Sequence, residues 1–527
     1  MDSYINILTL NVGMNQNLAP LVTLINLNQV DIVLLQEIRS SKDYLDSLLG
    51  SLGFQTEVNV DIDSSRPGTA IAWKSNLPVD EVFTIVPCRA QLLKMGIHVV
   101  MNIYAPSGSN KRQDRSVFFS QEVFRAFNLF PYSSYVLAGD FNCVLSAQDV
   151  ENGTGFNAKN CAALKDLVFV YSLIDAFRSC FPMKEEFTFF RPGKAASRLD
   201  RFYVPLSSLS NISVYHVASL SDHFAAILKI KMQLNLHNTG SPRRQTYWKL
   251  NASILNDNDF LPAFKQFWIH TKNAQENFSD LADWWDIHAK PAIKQFCIEF
   301  SRHRKSVRRD TARFLLSLLK IAVLEKNWSE VARIKEKIKL MAMEDAMGFL
   351  VRSRYKQNAE EENASMFHAA REIKNDKNNI NELKINGIKV DDHGILEQTV
   401  KNYFGALFNG HHNSKLEDTG SPFIPDDSHL ADFLTGIGTL SEEESKAMET
   451  PIEMEELDFI IKKCKRNKSP GLDGLPYEFF KETWTVISED FRDILQCQLD
   501  RAKLIESDKL GATRLISKVK GVPQVDE

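Results

Sequence analysis

The stretch Tyr135–Asn142, read YVLAGDFN, constrains this chain more than any other. Its apolar start predicts a short buried strand, and an acid and an amide follow where that strand ends. Ligands gather at strand ends in sheets covered on both faces, because loops hold polar groups there without disturbing the core. If the extended geometry continues, Asp140 and Asn142 point to the same side. A polar turn cap explains this one pattern equally well, so the neighbouring strands must decide.

Other strand-like runs of the N-terminal half also carry polar residues at or near their ends. These residues are Asn11, Glu37, Tyr104, Asp200 and the pair Asp222-His223. Strands outnumber helices over residues 1–235, and the helices read as peripheral. We therefore predict an α+β fold in which a two-sheet β-sandwich is flanked by helices, rather than a doubly wound sheet.

Composition narrows the class of protein. The 527 residues allow about two to four domains, and a net charge of −4 excludes a wholly basic nucleic-acid coat. The seven cysteines are scattered without a CxxC pair, which favours a reducing compartment over a disulfide framework or a zinc module. The N-terminus alternates like a strand rather than a signal peptide, and no apolar run is long enough to span a bilayer. We expect a nuclear and cytoplasmic protein, neither secreted nor bound to a membrane.

The acids of the first domain indicate a divalent metal. Glu37, Asp140, Asp200 and Asp222 offer hard oxygen donors, which suit Mg²⁺, with Mn²⁺ as a substitute, and do not suit zinc without more His or Cys. Attack on a phosphodiester needs a metal to neutralise developing charge, a base to activate water and donors for the phosphate oxygens. The sequence thus predicts Mg²⁺ and no small-molecule cofactor.

Candidates for the base and the donors are present as well. His223, with Asp200 to orient its ring, matches the acid–imidazole pairing used for proton transfer or for a charged phosphate clamp. Tyr104, Asn11 and Asn142 can donate hydrogen bonds to the same phosphate. Each has a plainer reading alone: Tyr104 as a core aromatic, Asp200 as a surface ion-pair partner, His223 as a core histidine. Their occurrence together favours chemistry on a phosphate.

In chain order, the motifs TLN, LLQE, NIYAP, AGDFN, FTFF, SRLDRFYV and SDHFA resemble the endonuclease/exonuclease/phosphatase superfamily over residues 1–232. Within it they resemble the apurinic-like endonuclease domain of LINE-type (non-LTR) retrotransposons. The resemblance implies a DNA endonuclease that nicks double-stranded DNA and leaves a 3′-hydroxyl to prime reverse transcription, with element RNA as a further partner. Ser107 stands where repair enzymes of the superfamily have asparagine. This departure favours the retroelement branch and counts against efficient abasic-site repair.

The resemblance also implies a role for each matched residue. Glu37 takes the main metal-ligand position, assisted by Asn11, with Asp222 as an outer metal ligand. Asp140 activates the attacking water or protonates the leaving oxygen, and Asn142 orients water and phosphate. The remaining matches are the phosphate contacts Tyr104 and His223, the acid Asp200 that orients His223, and the DNA contacts Thr188 and Ser197.

The loop Arg191-Pro-Gly-Lys194 is our candidate for insertion into a DNA groove. A site built for phosphate has little access to base edges, so a nuclease of this kind would read the shape of the duplex. A solvated hairpin turn with two basic residues remains the alternative.

Residues 236–246 combine Asn, Gly, Ser, Pro and Arg and read as a linker. A mostly helical spacer (247–410) and a polar, weakly ordered segment (411–450) are predicted to follow. The spacer contains a basic run with Arg304, Lys305 and Arg308 at the head of one long helix reaching toward Arg354. Such a run is a solvated face, a nucleic-acid contact or a nuclear-import signal, and the sequence leaves all three open.

The final segment, 451–527, contains KKCKRNKSPGLDGLPYEFFK, which resembles the first motif region, in the fingers, of non-LTR reverse transcriptases. By that likeness Lys468 lies beside template or nucleotide phosphates. The sequence ends before any palm strand with catalytic aspartates, so we expect no reverse transcriptase activity from these residues. Two alternatives to the endonuclease stay open: a repair nuclease or phosphatase on the same fold, and a domesticated nucleic-acid-binding protein without catalysis.

Overall fold

The computed structural model describes residues 2–13, 18–50, 52–61, 66–153, 161–234, 247–352, 382–385, 388–408, 441–448 and 450–510. The predicted linker 236–246, most of the predicted polar segment 411–450 and residues 511–527 lie outside the described residues. Contacts divide the chain into two compact units, one formed by 1–244 with 305–372 and the other by 245–304 with 373–527. The predicted spacer thus contributes to both units.

The first unit contains two six-stranded sheets, which confirms the predicted sandwich with flanking helices. The strand orders are β11-β12-β1-β2-β4-β3 and β5-β6-β7-β8-β10-β9. The strands are β1 (Asp2–Asn11), β2 (Ile32–Ile38), β3 (Phe54–Asn59), β4 (Gly68–Lys74), β5 (Glu81–Val86), β6 (Ala90–Met95), β7 (His98–Tyr104), β8 (Ser134–Asp140), β9 (Leu173–Asp175), β10 (Asp200–Pro205), β11 (Ile212–Val217) and β12 (Ala225–Gln233).

Each sheet has one parallel pair among antiparallel ones, β1 with β2 and β7 with β8. One apolar core fills the space between the sheets, and residues such as Ile7, Ile71, Val100 and Phe202 alternate into it from both sides. This period-two alternation is what the two inner faces of a sandwich require. The polar strand ends therefore remain at the edge of the core.

Short helices cover the outer faces of the sheets. Helices α1 (Ala19–Asn28) and α2 (Lys42–Gly50) lie on the first sheet, where Leu24 and Leu45 join its core. On the second sheet, α3 (Arg112–Val117), a π turn at 118–123, α4 (Phe124–Leu129) and α5 (Ala162–Val170) pack through a separate core, and α6 (Ala176–Cys180) lies beside β10.

The segment that the sequence predicted as one long helix consists of two helices, and the basic run lies within the first of them. Helix α9 (Lys290–Leu324) and helix α10 (Trp328–Arg352) are separated at Lys326, which has a φ of +56°. Asn327 starts α10 by accepting the N–H of Glu330 at 3.3 Å on its side-chain oxygen. Asn followed three residues later by Glu is a helix-start pattern, so the sequence contained this signal.

The second unit is mostly helical around its own aromatic core. Phe264, Trp268, Trp284 and Phe479 are buried there, so these aromatic side chains form a core rather than a base-stacking surface. Its elements include α7 (Phe260–Lys272), α8 (Leu281–Trp284), the hairpin of Leu383–Ile385 with Ile388–Val390, and the helices His393–Phe408, Glu442–Met448, Met454–Lys463 and Tyr477–Asp500. Among the described residues of the whole chain, none of the helices combines the length and apolarity needed to cross a membrane.

Candidate active site at the strand ends

Strand pairing brings three of the predicted residues side by side. Asp140 is the last residue of β8, the parallel register of β7 sets Tyr104 beside it, and the antiparallel register of β10 sets Asp200 opposite it. His223 lies just before β12 and bridges to Phe189. Ligating atoms of Asp140, Asp200 and His223 all lie within 4.8 Å of one another, and all three residues are buried.

His223 and Asp200 form a hydrogen-bonded pair. Nδ1 of the imidazole is 2.8 Å from Oδ2 of Asp200, which fixes the ring and leaves Nε2 free of this contact. Burial alone would lower the pKa of His223, but the charge and hydrogen bond of Asp200, together with Asp140 and Asp222, raise it to about 9. An imidazole with this pKa is a cation at neutral pH, suited to contact a phosphate and unsuited to ligate a metal.

Asp140 accepts hydrogen bonds from two other predicted site residues, Asn11 and Asn142. Its Oδ2 accepts from the amide nitrogen of Asn11 at 2.9 Å, and its Oδ1 accepts from the backbone N–H of Asn142 at 2.9 Å. Burial and the charge of Asp200 raise the pKa of Asp140 to about 6, although His223 and these hydrogen bonds oppose the rise. A carboxyl with this pKa can exchange a proton near neutral pH, as general acid–base work requires.

Glu37 and Tyr104 form the adjacent wall. Glu37 has a φ of +60° at an irregularity in the β2–β4 pairing, a conformation that turns its half-buried side chain out of the regular strand pattern. The hydroxyl of Tyr104 donates to Oε1 of Glu37 at 3.0 Å. Burial and the charge of Glu37 raise the pKa of Tyr104, so the phenol keeps its proton and stays a donor. Arg89 stacks on the Tyr104 ring with its guanidinium carbon 4.4 Å from the centroid.

Asn142 is fixed more tightly than a free donor would be. It has a φ of +48°, and its amide nitrogen donates to the backbone carbonyl of Ala105 at 2.9 Å. The side chain therefore ties the end of β8 to the end of β7. Both polar atoms of the Asn11 side chain also have partners. Its Oδ1 accepts the N–H of Gly13 at 2.9 Å, and its Nδ2 donates to Asp140.

Asp222, the predicted outer metal ligand, is paired with Arg191 of the predicted DNA loop. Oδ2 of Asp222 accepts from Nη2 of Arg191 at 2.8 Å and from Nε at 3.2 Å. The arginine is largely exposed, as is Lys194, and Ser197 is half-buried at the base of the same loop. One predicted DNA-binding loop thus contacts the residue beside His223.

Thr188 occupies a different environment from the one its predicted role needs. The side chain is fully buried, and its hydroxyl accepts from the backbone N–H groups of Leu199 and Asp200 at 3.0 and 3.1 Å. In this position the hydroxyl fixes the start of β10, and Asp200 with it, instead of facing a DNA groove.

The predicted basic contacts are divided between the two units, Lys305 and Arg308 in the first and Arg304 and Lys468 in the second. Arg304 pairs with Asp257 at 2.9 Å and donates to the carbonyl of Ser253 at 3.0 Å, both in the second unit. Arg308 donates to Glu344 at 3.1 Å, whereas Lys305 and Lys468 are exposed. Arg304 is therefore committed within its own unit.

The donor chemistry of the site fits a hard divalent cation. Oδ1 of Asp200 is buried without a hydrogen-bond partner, which is costly for a carboxylate oxygen unless another group satisfies it. Asp140, Asp200 and the neighbouring Glu37 and Asp222 supply oxygen ligands alone, as Mg²⁺ and Mn²⁺ prefer. The carboxylates of this buried cluster could therefore hold such a cation.

Sequence reasoning missed the charged cluster that supports Asp200. Oδ1 of the buried Asp149 accepts from Arg198 at 2.9 Å and from Arg178 at 2.7 Å, and Arg201 approaches Oδ2 at 3.3 Å. The arginines lower the pKa of Asp149 despite its burial. Arg198 and Arg201 flank Asp200 within the SRLDR motif, so the charge density of that motif was the available signal. Breaking such a buried cluster would cost several kcal/mol, about 3–5.

The hydroxyls of Ser219 and Ser221 were also missed. Ser221 donates to the carbonyl of Asn11 at 2.7 Å, and Ser219 donates to the carbonyl of His223 at 2.5 Å. The N–H of His223 in turn donates to the Ser221 hydroxyl at 2.7 Å. These bonds hold the loop that carries His223 against the end of β1, and the SLSD run before the histidine was their only trace in the sequence.

Comparison with known proteins agrees with this architecture. Residues 8–223 match the model of the Endonuclease/Exonuclease/phosphatase family. Among solved structures, the chain resembles the AP endonuclease LMAP from Leishmania major (15% identity, 44% of this chain and 88% of that one, TM-score 0.37). It also resembles the endonuclease domain of TRAS1, a telomere-specific non-LTR retrotransposon (15% identity, 44% and 99%, TM-score 0.33).

A relative matches far beyond the first unit. The Transposon TX1 uncharacterized 149 kDa protein of Xenopus laevis is 26% identical over 437 residues, or 80% of this chain. The match covers 31% of that relative, so the chain spans about a third of its length. This match confirms the predicted relationship to a transposon protein. Residues 8–223 thus match the Endonuclease/Exonuclease/phosphatase family, within a chain that is similar over most of its length to a transposon protein.

Proposed function

We propose that the first unit is a divalent-metal-dependent endonuclease of a LINE-type retroelement, which nicks one strand of DNA and leaves a 3′-hydroxyl. The observation that carries the proposal is the buried cluster of Asp140, Asp200 and His223, whose ligating atoms lie within 4.8 Å of one another. The family match supports hydrolysis of a phosphodiester, and the similarity to a transposon protein supports the retroelement context.

The chain's own residues divide the chemistry between them. The attacking water loses a proton as its oxygen bonds to phosphorus, the bond between phosphorus and the 3′-oxygen breaks, and that oxygen gains a proton. Asp140, with a pKa near the working pH, either accepts the water's proton or supplies one to the leaving oxygen. The His223 cation, oriented by Asp200, offers the phosphate oxygens positive charge. The Tyr104 hydroxyl, which donates to Glu37 in this structure, would have to leave that bond to donate to a phosphate oxygen.

Glu37 is our proposed main ligand for Mg²⁺, with Asn11 assisting and Asp222 further out. Bound there, the cation would neutralise charge that develops on the phosphate. Glu37 suits this assignment because its backbone, at φ +60°, and the Tyr104 hydroxyl fix the carboxylate before any ligand arrives. Asn142 then serves to order the loop that holds Asp140.

Double-stranded DNA is the proposed substrate, and Arg191, Lys194 and Ser197 are its proposed contacts beside the phosphate site. For the second unit we propose the beginning of a reverse transcriptase fingers region, with Lys468 among its phosphate contacts. The activity that we assign to the first unit is nicking.

Nicking of supercoiled plasmid by the full chain tests the proposal. With Mg²⁺ or Mn²⁺ at about 5 mM we expect relaxed circles, and with EDTA at least about 100-fold less of this product. A polymerase should extend the nicked ends without prior phosphatase treatment. Faster turnover of an abasic duplex or of a small phosphate ester than of plasmid would instead assign a repair nuclease or phosphatase. DNA binding without metal-dependent cleavage would contradict the enzymatic proposal.

The pH dependence of nicking is a second expectation. The Asp140 carboxylate is gained as pH rises through about 6, and the His223 cation is lost as pH rises through about 9. If both charged forms are needed, the rate should climb about tenfold per pH unit below 6, level off, and fall above 9. His223→Gln should abolish the alkaline decline. A flat profile across pH 5–10 at constant metal concentration would contradict these two assignments.

A further inference from the structure

Two helical segments beyond the predicted endonuclease domain pack on the first sheet of that domain. The helical hairpin 305–344, which consists of α9 from Lys305 onward and the first part of α10, belongs to the first unit. Leu319, Val323, Ile334 and Ile338 of this hairpin are buried in the same core as the outer face of the first sheet. The hairpin is therefore part of the folded body that contains the site.

Three lysines of the hairpin reach segments that support the Asp200–His223 half of the site. Lys320 donates to Glu186 at 2.7 Å, shortly before Thr188. Lys326 pairs at 2.7 Å with Glu151, whose other carboxylate oxygen accepts the N–H of Ala196 at 3.2 Å. The hairpin thus contacts one flank of the loop that precedes β10 directly, at Glu186, and the other through Glu151.

The third lysine, Lys335, touches the loop of His223 directly. Its ammonium group donates to the backbone carbonyl of Ser221 at 2.8 Å and to that of Leu220 at 3.0 Å. Both acceptors lie within three residues of His223, in the segment that Ser219 and Ser221 also fasten. Two charge-assisted hydrogen bonds from one half-buried ammonium fix the direction of consecutive peptide units, which a neutral or apolar side chain does not do.

We propose that Lys335 is a positioning residue of the nuclease, acting through the Leu220–Ser221 backbone to set where His223 meets the phosphate. The proposal rests on the proposed function, and it extends the functional nuclease beyond residue 235 to include the helical hairpin 305–344. Lys335 itself touches no reacting atom.

The test compares three variants of the full chain. Lys335→Met keeps the length of the side chain and removes its donors, Lys335→Arg keeps the charge and donors, and Lys339→Met alters an exposed lysine one turn further along the same helix. We expect Lys335→Met to lower kcat for nicking about 10- to 100-fold with little change in KM, because a displaced group of about 1 Å costs rate rather than binding. The loss of log kcat in Lys335→Arg should be no more than two thirds of the loss in Lys335→Met. Lys339→Met should have the same kcat as the parent protein.

A measurement that does not depend on DNA cleavage distinguishes the positioning role of Lys335 from the proposed nuclease function. Amide hydrogen exchange in Ser219–His223 should accelerate in Lys335→Met and stay unchanged in Lys339→Met, whether or not the protein cuts DNA. The positioning role would be overturned if the parent protein and Lys335→Met nicked DNA equally well and showed the same amide exchange in Ser219–His223. Parent protein that fails to nick would overturn the proposed function instead. An equal fall in kcat and in thermal stability for all three variants would likewise reject a specific role.

Discussion

Asp140→Asn is expected to reduce plasmid nicking by about 10³- to 10⁴-fold, the upper part of what one positioned acid–base group contributes. The amide keeps the shape of the side chain and can still bond Asn11 or the Asn142 N–H, but it cannot carry the transferred proton. Single-turnover rates of relaxed-circle formation, measured at saturating Mg²⁺, give the effect directly.

The stability of the same variant sharpens the result. Burial and the charge of Asp200 disfavour the Asp140 carboxylate, so a neutral amide should leave the thermal unfolding temperature equal to or above that of the parent. Asp80→Asn, which neutralises an exposed carboxylate paired with Lys94, is the matched control and should keep full activity. Residual nicking within tenfold of the parent by a well-folded Asp140→Asn would remove Asp140 from the chemistry.

His223→Ala should lower the nicking rate by about 10²- to 10³-fold, the effect of losing one positively charged group aimed at the phosphate. If Asp200 acts by orienting His223, adding Asp200→Asn to His223→Ala should change the rate by less than about twofold. A larger further loss would show that its unpaired Oδ1 also serves the cation. Rates of the two single variants and the double variant form a cycle that measures this coupling.

Thermal unfolding of the same set adds an independent check. His223→Ala leaves Asp200 buried without its 2.8 Å partner, a loss of about 3–5 kcal/mol for a broken buried pair. Neutralising the acid as well should recover part of that loss, so the double variant should be more stable than His223→Ala. His98→Gln, at the other end of β7, is the control for histidine removal. Additive rate losses in the cycle would show that Asp200 acts without His223.

Several predicted site residues lie close together in the structure because each follows an apolar run. Asp140, Tyr104 and Asn11 each end a strand whose buried residues are plain in the sequence, and parallel pairing then brings such ends together. Asp200 was predicted from its place in a strand-like run, and the structure sets it at the start of β10, opposite Asp140. Periodicity indicates where strands end, and the proposed chemistry lies at those ends.

Other features depend on tertiary contacts that periodicity does not encode. Strand β5 is an edge strand with no fully buried residue, so its pattern is weak. The positive φ of Glu37 follows from how β2 meets β4, and the burial of Arg198 follows from a partner, Asp149, that is distant in the chain. The packing of the helical hairpin 305–344 was hidden because a helix with an apolar stripe fits many partners.

Backbone hydrogen bonds between Phe189 and Ser197 close the loop 190–196 at its base. This closure distinguishes sequence changes in the loop from changes in the segment that leads to β10. The two backbones exchange hydrogen bonds at 2.8 and 3.1 Å, directly below the loop that holds Arg191 and Lys194 and directly before the strand that holds Asp200. Residues can be inserted or deleted above this closure without shifting the register of β10, whereas a shift by one residue below it would turn Asp200 to the opposite face. Changes in the loop can therefore alter the proposed DNA contacts Arg191 and Lys194 while Asp200 keeps its place opposite Asp140.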